Sequence, residues 1–245
     1  MSTNKLTKYT GRPYPEKVGS RNVTPVVLSD SKGKYLERKV ADKHEREIKW
    51  WIKSGENTSE WYSWLQNKLK SKITKIGNIW LYVWLGTCDI TSKHKKYISL
   101  ASEDDQSVST ANNNIQKINE LVKQYPNCRV TFLEIPIFSI KEWNEHRKHN
   151  TPDQFKDQDL KLEEQVYNLN SKIRTTNVEN NNHSPVFSTV LIKISKTRKG
   201  DQHNKFTKRR SVNFKLYLDG IHTGHPLSKV WLKKIVQQAN KDCYQ

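Results

Sequence analysis

The sequence predicts a three-layer α/β/α domain built on a parallel sheet of about five strands. Three observations lead there. Short apolar runs rich in β-branched and aromatic residues alternate along the chain with amphipathic stretches of helical period. Several of those runs stop at a glycine or a small polar turn, where strands of an open sheet hand over to loops. The chain has 245 residues, enough for one such domain with a sizeable core and short for two.

Residues 1–22 are basic, hold two prolines and show no periodicity, so they are expected to form a flexible arm, or a tail draped on the domain that spans 23–245. "TPVVLS" (24–29) reads as a buried strand, short and uninterrupted. "KGKYLERKVADKH" reads as a helix, with Lys32 and Lys34 as surface charge. "EIKWWIKSG" (47–55) is a second strand ending at Gly55. "TSEWYSWLQNKLKSKI" (58–73) places Trp61, Trp64, Leu65 and Leu69 at helical spacing after Thr58 or Ser59 as N-cap. "IWLYVWLG" (79–86) is the most apolar strand and stops at Gly86. A polar stretch (91–110) precedes a helix over 113–125, with Ile115, Ile118, Leu121 and Val122 on one face. A strand over 128–140, stopped or bent at Pro136, is followed by a helix over 159–173, a strand over 186–194 and a closing helix over 230–241. The tryptophans at 50, 51, 61, 64, 80 and 84 fall at spacings that bury rings between helices and sheet, so they read as core and not as a base-stacking platform.

Composition narrows the class. The net charge is +18, from 43 Lys and Arg against 25 Asp and Glu, a field that attracts nucleic acid, anionic membrane surfaces or acidic polymers. It is densest between Lys193 and Lys215, where nine Lys and Arg face one Asp, and Lys208, Arg209 and Arg210 are the candidate anion-binding residues. Cys88, Cys128 and Cys243 are odd in number and widely spaced, which fits neither a disulfide framework nor a paired metal site. The N-terminal stretch has no apolar core of a signal peptide and no run reaches the length of a membrane span, so an intracellular location is expected. The Asn-x-Ser/Thr matches at Asn22, Asn57 and Asn182 are then chance.

The turn "SDSKGKY" after the first strand has to be explained. It has one glycine and reads Gly33-Lys34-Tyr35, which is not a phosphate cradle. Ser31 and Lys34 fit Ser-x-x-Lys, but Ser-Asp-Asn and Lys-Thr-Gly are absent. A serine nucleophile at the sheet's C-terminal edge needs a histidine base oriented by a carboxylate, and "YLDGIHTGHP" offers Asp219 and His222 three residues apart. His225, nearby, is assigned a structural role.

With these residues in place the chain resembles the SGNH hydrolases, the GDSL lipase/esterase superfamily. Four blocks match in order. "VVLSDSKG" resembles the Gly-Asp-Ser block, "WWIKSGENTSEWYSWL" the second block, "WLGTCDIT" the Gly-x-Asn-Asp block, and "LDGIHTGHP" the final Asp-x-x-His block. The resemblance implies a flavodoxin-like sheet order and Ser31, His222 and Asp219 as catalytic triad. It implies an oxyanion hole from the N–H groups of Ser31 and Gly55 and from the residue at 88, with Asp30, Asn57, Gly86 and Asp89 in support. Two positions depart from the pattern. Ser29 replaces the leading glycine, and Cys88 replaces the asparagine whose amide would hold the tetrahedral intermediate; a thiol is a poor donor. Cys88 is read as a small packing residue and not as a thiol nucleophile.

The expectation is a serine ester hydrolase acting on acyl esters, with no metal or organic cofactor required and the substrate on an anionic polymer or membrane surface. The alternative is an SGNH-fold module with weakened catalysis that binds nucleic acid, as in proteins of mobile genetic elements.

Overall fold

The structure, a computed structural model, describes residues 3–198 and 206–244. The chain opens with α1 (Thr3–Thr10), β1 (Thr24–Ser29), α2 (Ser31–Glu37), β2 (Lys49–Ile52), α3 (Thr58–Ile76) and β3 (Ile79–Trp84). It continues through the short α4 (Thr87–Ile90), β4 (Thr91–His94), β5 (Tyr97–Leu100), α5 (Gln106–Lys123), β6 (Cys128–Phe132), α6 (Ile140–His146) and α7 (Lys156–Glu179). β7 (Ile192–Arg198), β8 (Phe206–Val212) and α8 (His225–Cys243) complete it.

The central sheet is parallel, in the order β2-β1-β3-β6. This is the flavodoxin-like arrangement, in which the chain starts in the middle, steps out to β2 and returns past β1. Side chains alternate between its faces. Val26, Leu28, Leu81 and Val83 enter one core with Leu65 of α3, Ile115 of α5 and Leu169 of α7. Val27, Tyr82 and Trp84 enter the other with Leu36 of α2 and Trp231 of α8. Leu6 of α1, in the basic N-terminal segment, is fully buried in this second core, and Tyr9 donates to Gln237 Oε1 of α8 at 2.8 Å.

Four strands, not about five, make the parallel sheet among the described residues. The strand expected over 186–194 divides into a 3₁₀ turn at Ser188–Val190 and β7, which pairs antiparallel with β8 as a separate ribbon. Its end, "IKISK", alternates apolar with polar or basic residues, a period that suits a ribbon better than a strand buried on both faces. The strand expected over 128–140 likewise ends at Phe132. The free edge of β6 and the chain beyond it are bonded by amides instead of a fifth strand. Asn177 accepts from Phe132 N–H at 2.9 Å and donates to its carbonyl at 2.7 Å. Asn170 does the same for Ile135 at 2.7 and 2.8 Å, and Asn182 donates to Val130 O at 2.7 Å. Buried backbone groups need partners, and α7 with its C-terminal turn supplies them.

The polar stretch over 91–110 contains the β4–β5 hairpin, turning at Lys95 with φ of 54°. Asn144 of α6 holds this hairpin by bonding Ile98 N–H and C=O at 2.9 and 2.7 Å. No helix among the described residues is long and apolar enough to cross a membrane.

Candidate active site

The C-terminal ends of β1, β2 and β3 open into a cleft of about 530 Å³ lined by Ser31, Gly55, Cys88, Trp143 and His222 among others. β1 hands over to α2 through Asp30, whose carboxylate caps the helix by accepting from Lys32 N–H at 2.8 Å. Ser29, in place of a glycine, is buried and bonded: its hydroxyl accepts from Gly33 N–H at 3.1 Å and donates to Trp84 O at 3.3 Å. A Cβ on Gly33 would lie 2.7 Å from Ser29 Cβ, so the serine fits because its neighbour is glycine.

Ser31 opens α2 with its side chain in the cleft. Its Oγ lies 2.9 Å from His222 Nε2, and His222 Nδ1 lies 2.8 Å from Asp219 Oδ2. Asp219 Oδ1 also accepts from Ile221 and His222 N–H at 3.1 and 2.7 Å, which folds the loop so that carboxylate and imidazole meet. Burial pushes the Asp219 carboxyl up, but the His222 bond and charge and the two backbone N–H groups outweigh it and hold the group below the usual aspartate range. Gly220, between them, has φ of 89° and sits against α6, where a Cβ would meet Glu142 Cβ at 2.7 Å and Ser139 O at 2.9 Å.

The other expected residues fall into two groups. Gly55 and Cys88 line the same cleft as Ser31, and among the described residues the N–H groups of Ser31 and Gly55 donate to no protein acceptor. The Cys88 thiol is pushed up to about 12, by burial first and by the Asp30 carboxylate next, so it stays protonated and supplies no thiolate. Gly86 takes φ of 118° at the start of α4, and a Cβ there would overlap Ile135 Cδ1 at 2.2 Å. Asp89 faces away from Ser31. It accepts from Thr58 N–H at 3.1 Å and Thr58 Oγ1 at 2.5 Å, tying α4 to the start of α3 just beyond Gly55. Asn57 caps α3 by accepting from Glu60 N–H at 3.0 Å and lines a neighbouring hollow with Asp89, not the Ser31 cleft. His225 is exposed at the start of α8 and does not line the cleft. Lys208, Arg209 and Arg210 lie on β8, and Arg210 does not line the cleft. Arg210 is exposed, and the side chains of Lys208 and Arg209 lie outside the described residues.

Three features were not read from the sequence. Lys32 is buried, not surface charge: its ammonium pairs with the Asp30 carboxylate and donates to Thr87 Oγ1 at 2.6 Å, which locks the Ser31 turn to the Cys88 turn. Tyr35 stacks on His222, with ring centroids 4.5 Å apart and 22° between planes. Trp143 of α6 packs on the same imidazole at 5.6 Å, its indole N–H donating to Lys96 O of the hairpin at 3.0 Å. The spacing of Tyr35, one helical turn after Ser31, was a usable signal; nothing local to residue 143 pointed to His222.

No family model matches the chain, and no curated protein matches it in sequence. Solved structures do match. A GDSL-like lipase from Bacteroides thetaiotaomicron superposes with a TM-score of 0.57 at 13% identity, covering 98% of this chain and 97% of its own. A lipase/acylhydrolase from Enterococcus faecalis gives 0.51 at 11% identity, covering 89% and 96%. At such identities the likeness establishes architecture: this chain shares the α/β fold of these two structures over nearly its whole length.

Proposed function

We propose that the protein is a serine ester hydrolase. The observation that carries the reading is the continuous chain of hydrogen bonds from Ser31 Oγ through His222 to Asp219 Oδ2, at 2.9 and 2.8 Å, opening on a cleft. Ser31 Oγ attacks the acyl carbonyl while His222 Nε2 takes its proton. Asp219 holds Nδ1–H and stabilises the imidazolium. The tetrahedral oxyanion is received by the N–H groups of Ser31 and Gly55. Collapse releases the alcohol, which is protonated by His222, and water then repeats the sequence on the acyl-enzyme. Cys88 stands where an amide donor would complete the oxyanion hole. The loss of one such donor lowers kcat by about 10²–10³, so turnover is slow and not absent.

Hydrolysis of 4-nitrophenyl acetate tests this. Turnover is expected in the wild type and is lost in Ser31→Ala and His222→Gln; turnover that survives in Ser31→Ala overturns the assignment. The other reading, a catalytically weakened module that binds nucleic acid, rests on Cys88 and the net charge of +18.

A further inference from the structure

We propose that the cleft selects esters that carry an oxyanion, a carboxylate or a phosphate, beside the acyl group, with Arg38 and Arg147 as the groups that hold it. The inference takes its acyl chemistry from the hydrolase reading, but the anion site stands on separate residues.

Besides Lys32, four lysines and arginines line the cleft: Lys34, Arg38, Lys93 and Arg147. The acid in its lining is Asp30, already paired with Lys32. Among the described residues none of the four forms an ion pair. In a chain of net charge +18 a basic rim alone would mean little. Two details set these arginines apart. The Arg147 guanidinium lies 4.4 Å from the centre of the Trp143 ring, and that of Arg38 lies 5.8 Å from Tyr35. Those are the two rings that pack on His222, so each arginine sits against the support of the base. A guanidinium stacked on a ring keeps its N–H edge free for a planar, bidentate acceptor such as carboxylate or phosphate. Arg147 Nε, moreover, is buried and has no acceptor in the protein. An unmade bond at a buried, charged donor is costly, and the side chain that carries it also lines the cleft, where an oxyanion offsets its charge. A neutral ester would leave all four cations unused.

The test uses three acetate esters that share an acyl group: 4-acetoxybenzoate, 4-acetoxyphenyl phosphate and the neutral, nearly isosteric 4-acetoxybenzamide. Rates are corrected for each ester's uncatalysed hydrolysis. At low salt, kcat/KM for at least one anionic ester is expected to exceed that for the amide by about tenfold or more, and the margin to shrink as NaCl is raised. Which anion is favoured separates carboxylate from phosphate. The ratio of anionic to neutral kcat/KM falls toward one in Arg38→Gln/Arg147→Gln, and falls partway in Lys34→Gln/Lys93→Gln, which leaves the stacked rings untouched. Lys68→Gln/Lys70→Gln removes the same charge from exposed positions on α3 and keeps the ratio. Equal kcat/KM for charged and neutral esters, or a ratio lowered as much by the α3 pair as by the arginine pair, overturns the proposal. Calorimetric titration of Ser31→Ala with the same esters separates the two readings. Tighter binding of the anions with no turnover in the wild type rejects the hydrolase and keeps the anion site; no preference rejects the anion site.

Discussion

Ser29 and Cys88 are the two residues at which this chain departs from the motif blocks it resembles, and their consequences differ. Ser29 is absorbed locally, because its hydroxyl bonds Gly33 N–H and Trp84 O and Gly33 leaves it room. Nothing absorbs Cys88. A thiol held protonated by burial is a weak donor where the reaction needs a strong one. Cys88→Asn is therefore expected to raise kcat by about 10–100-fold with little change in KM, since an oxyanion donor acts in the transition state. An unchanged kcat in a folded variant would show that residue 88 does not face the oxyanion. That Ser31, Asp219 and His222 meet was legible in the sequence because they sit at a strand end and in a short loop; their roles are the proposal. Trp143 could not be assigned to His222, because a ring contact across 79 residues leaves no local trace, whereas Tyr35 had the helical spacing after Ser31 as a signal. Lys32 was misread for a related reason: burial of a lysine depends on partners, and its partner Thr87 is 55 residues away.

At the level of elements, strands and helices were legible wherever apolar period decides them, as in β1, β3, α3 and α5. What failed was strand number, and the cause is the β6 edge. Periodicity sees an apolar run over 128–140, but pairing stops at Phe132 because asparagine amides on α7 take up the backbone that a further strand would have bonded. Asn177→Ala strips partners from both Phe132 N–H and C=O in a buried setting. Urea unfolding is expected to show a loss of about 2–4 kcal/mol. A loss below about 0.5 kcal/mol would mean that these amides are not what closes the edge. The β4–β5 hairpin went unread because its outer face is polar, yet it delivers Lys93 to the cleft and the carbonyl that anchors Trp143.

For the whole molecule, the site is a product of topology. Residues as far apart in sequence as Ser31, Cys88, Trp143 and His222 meet because parallel strands all end at one edge, and the chain crosses that edge after each of them. The order β2-β1-β3-β6 accounts for that convergence, and the net charge of +18 plays no part in it. The central claim is that convergence makes Ser31 a nucleophile. Incubation of the native protein with a fluorophosphonate probe, followed by mass spectrometry of the labelled peptide, tests it most directly. The account expects one adduct, on Ser31, that is absent from His222→Gln and from urea-unfolded protein. An unlabelled Ser31 in folded wild-type protein, or labelling that persists without His222, would contradict it.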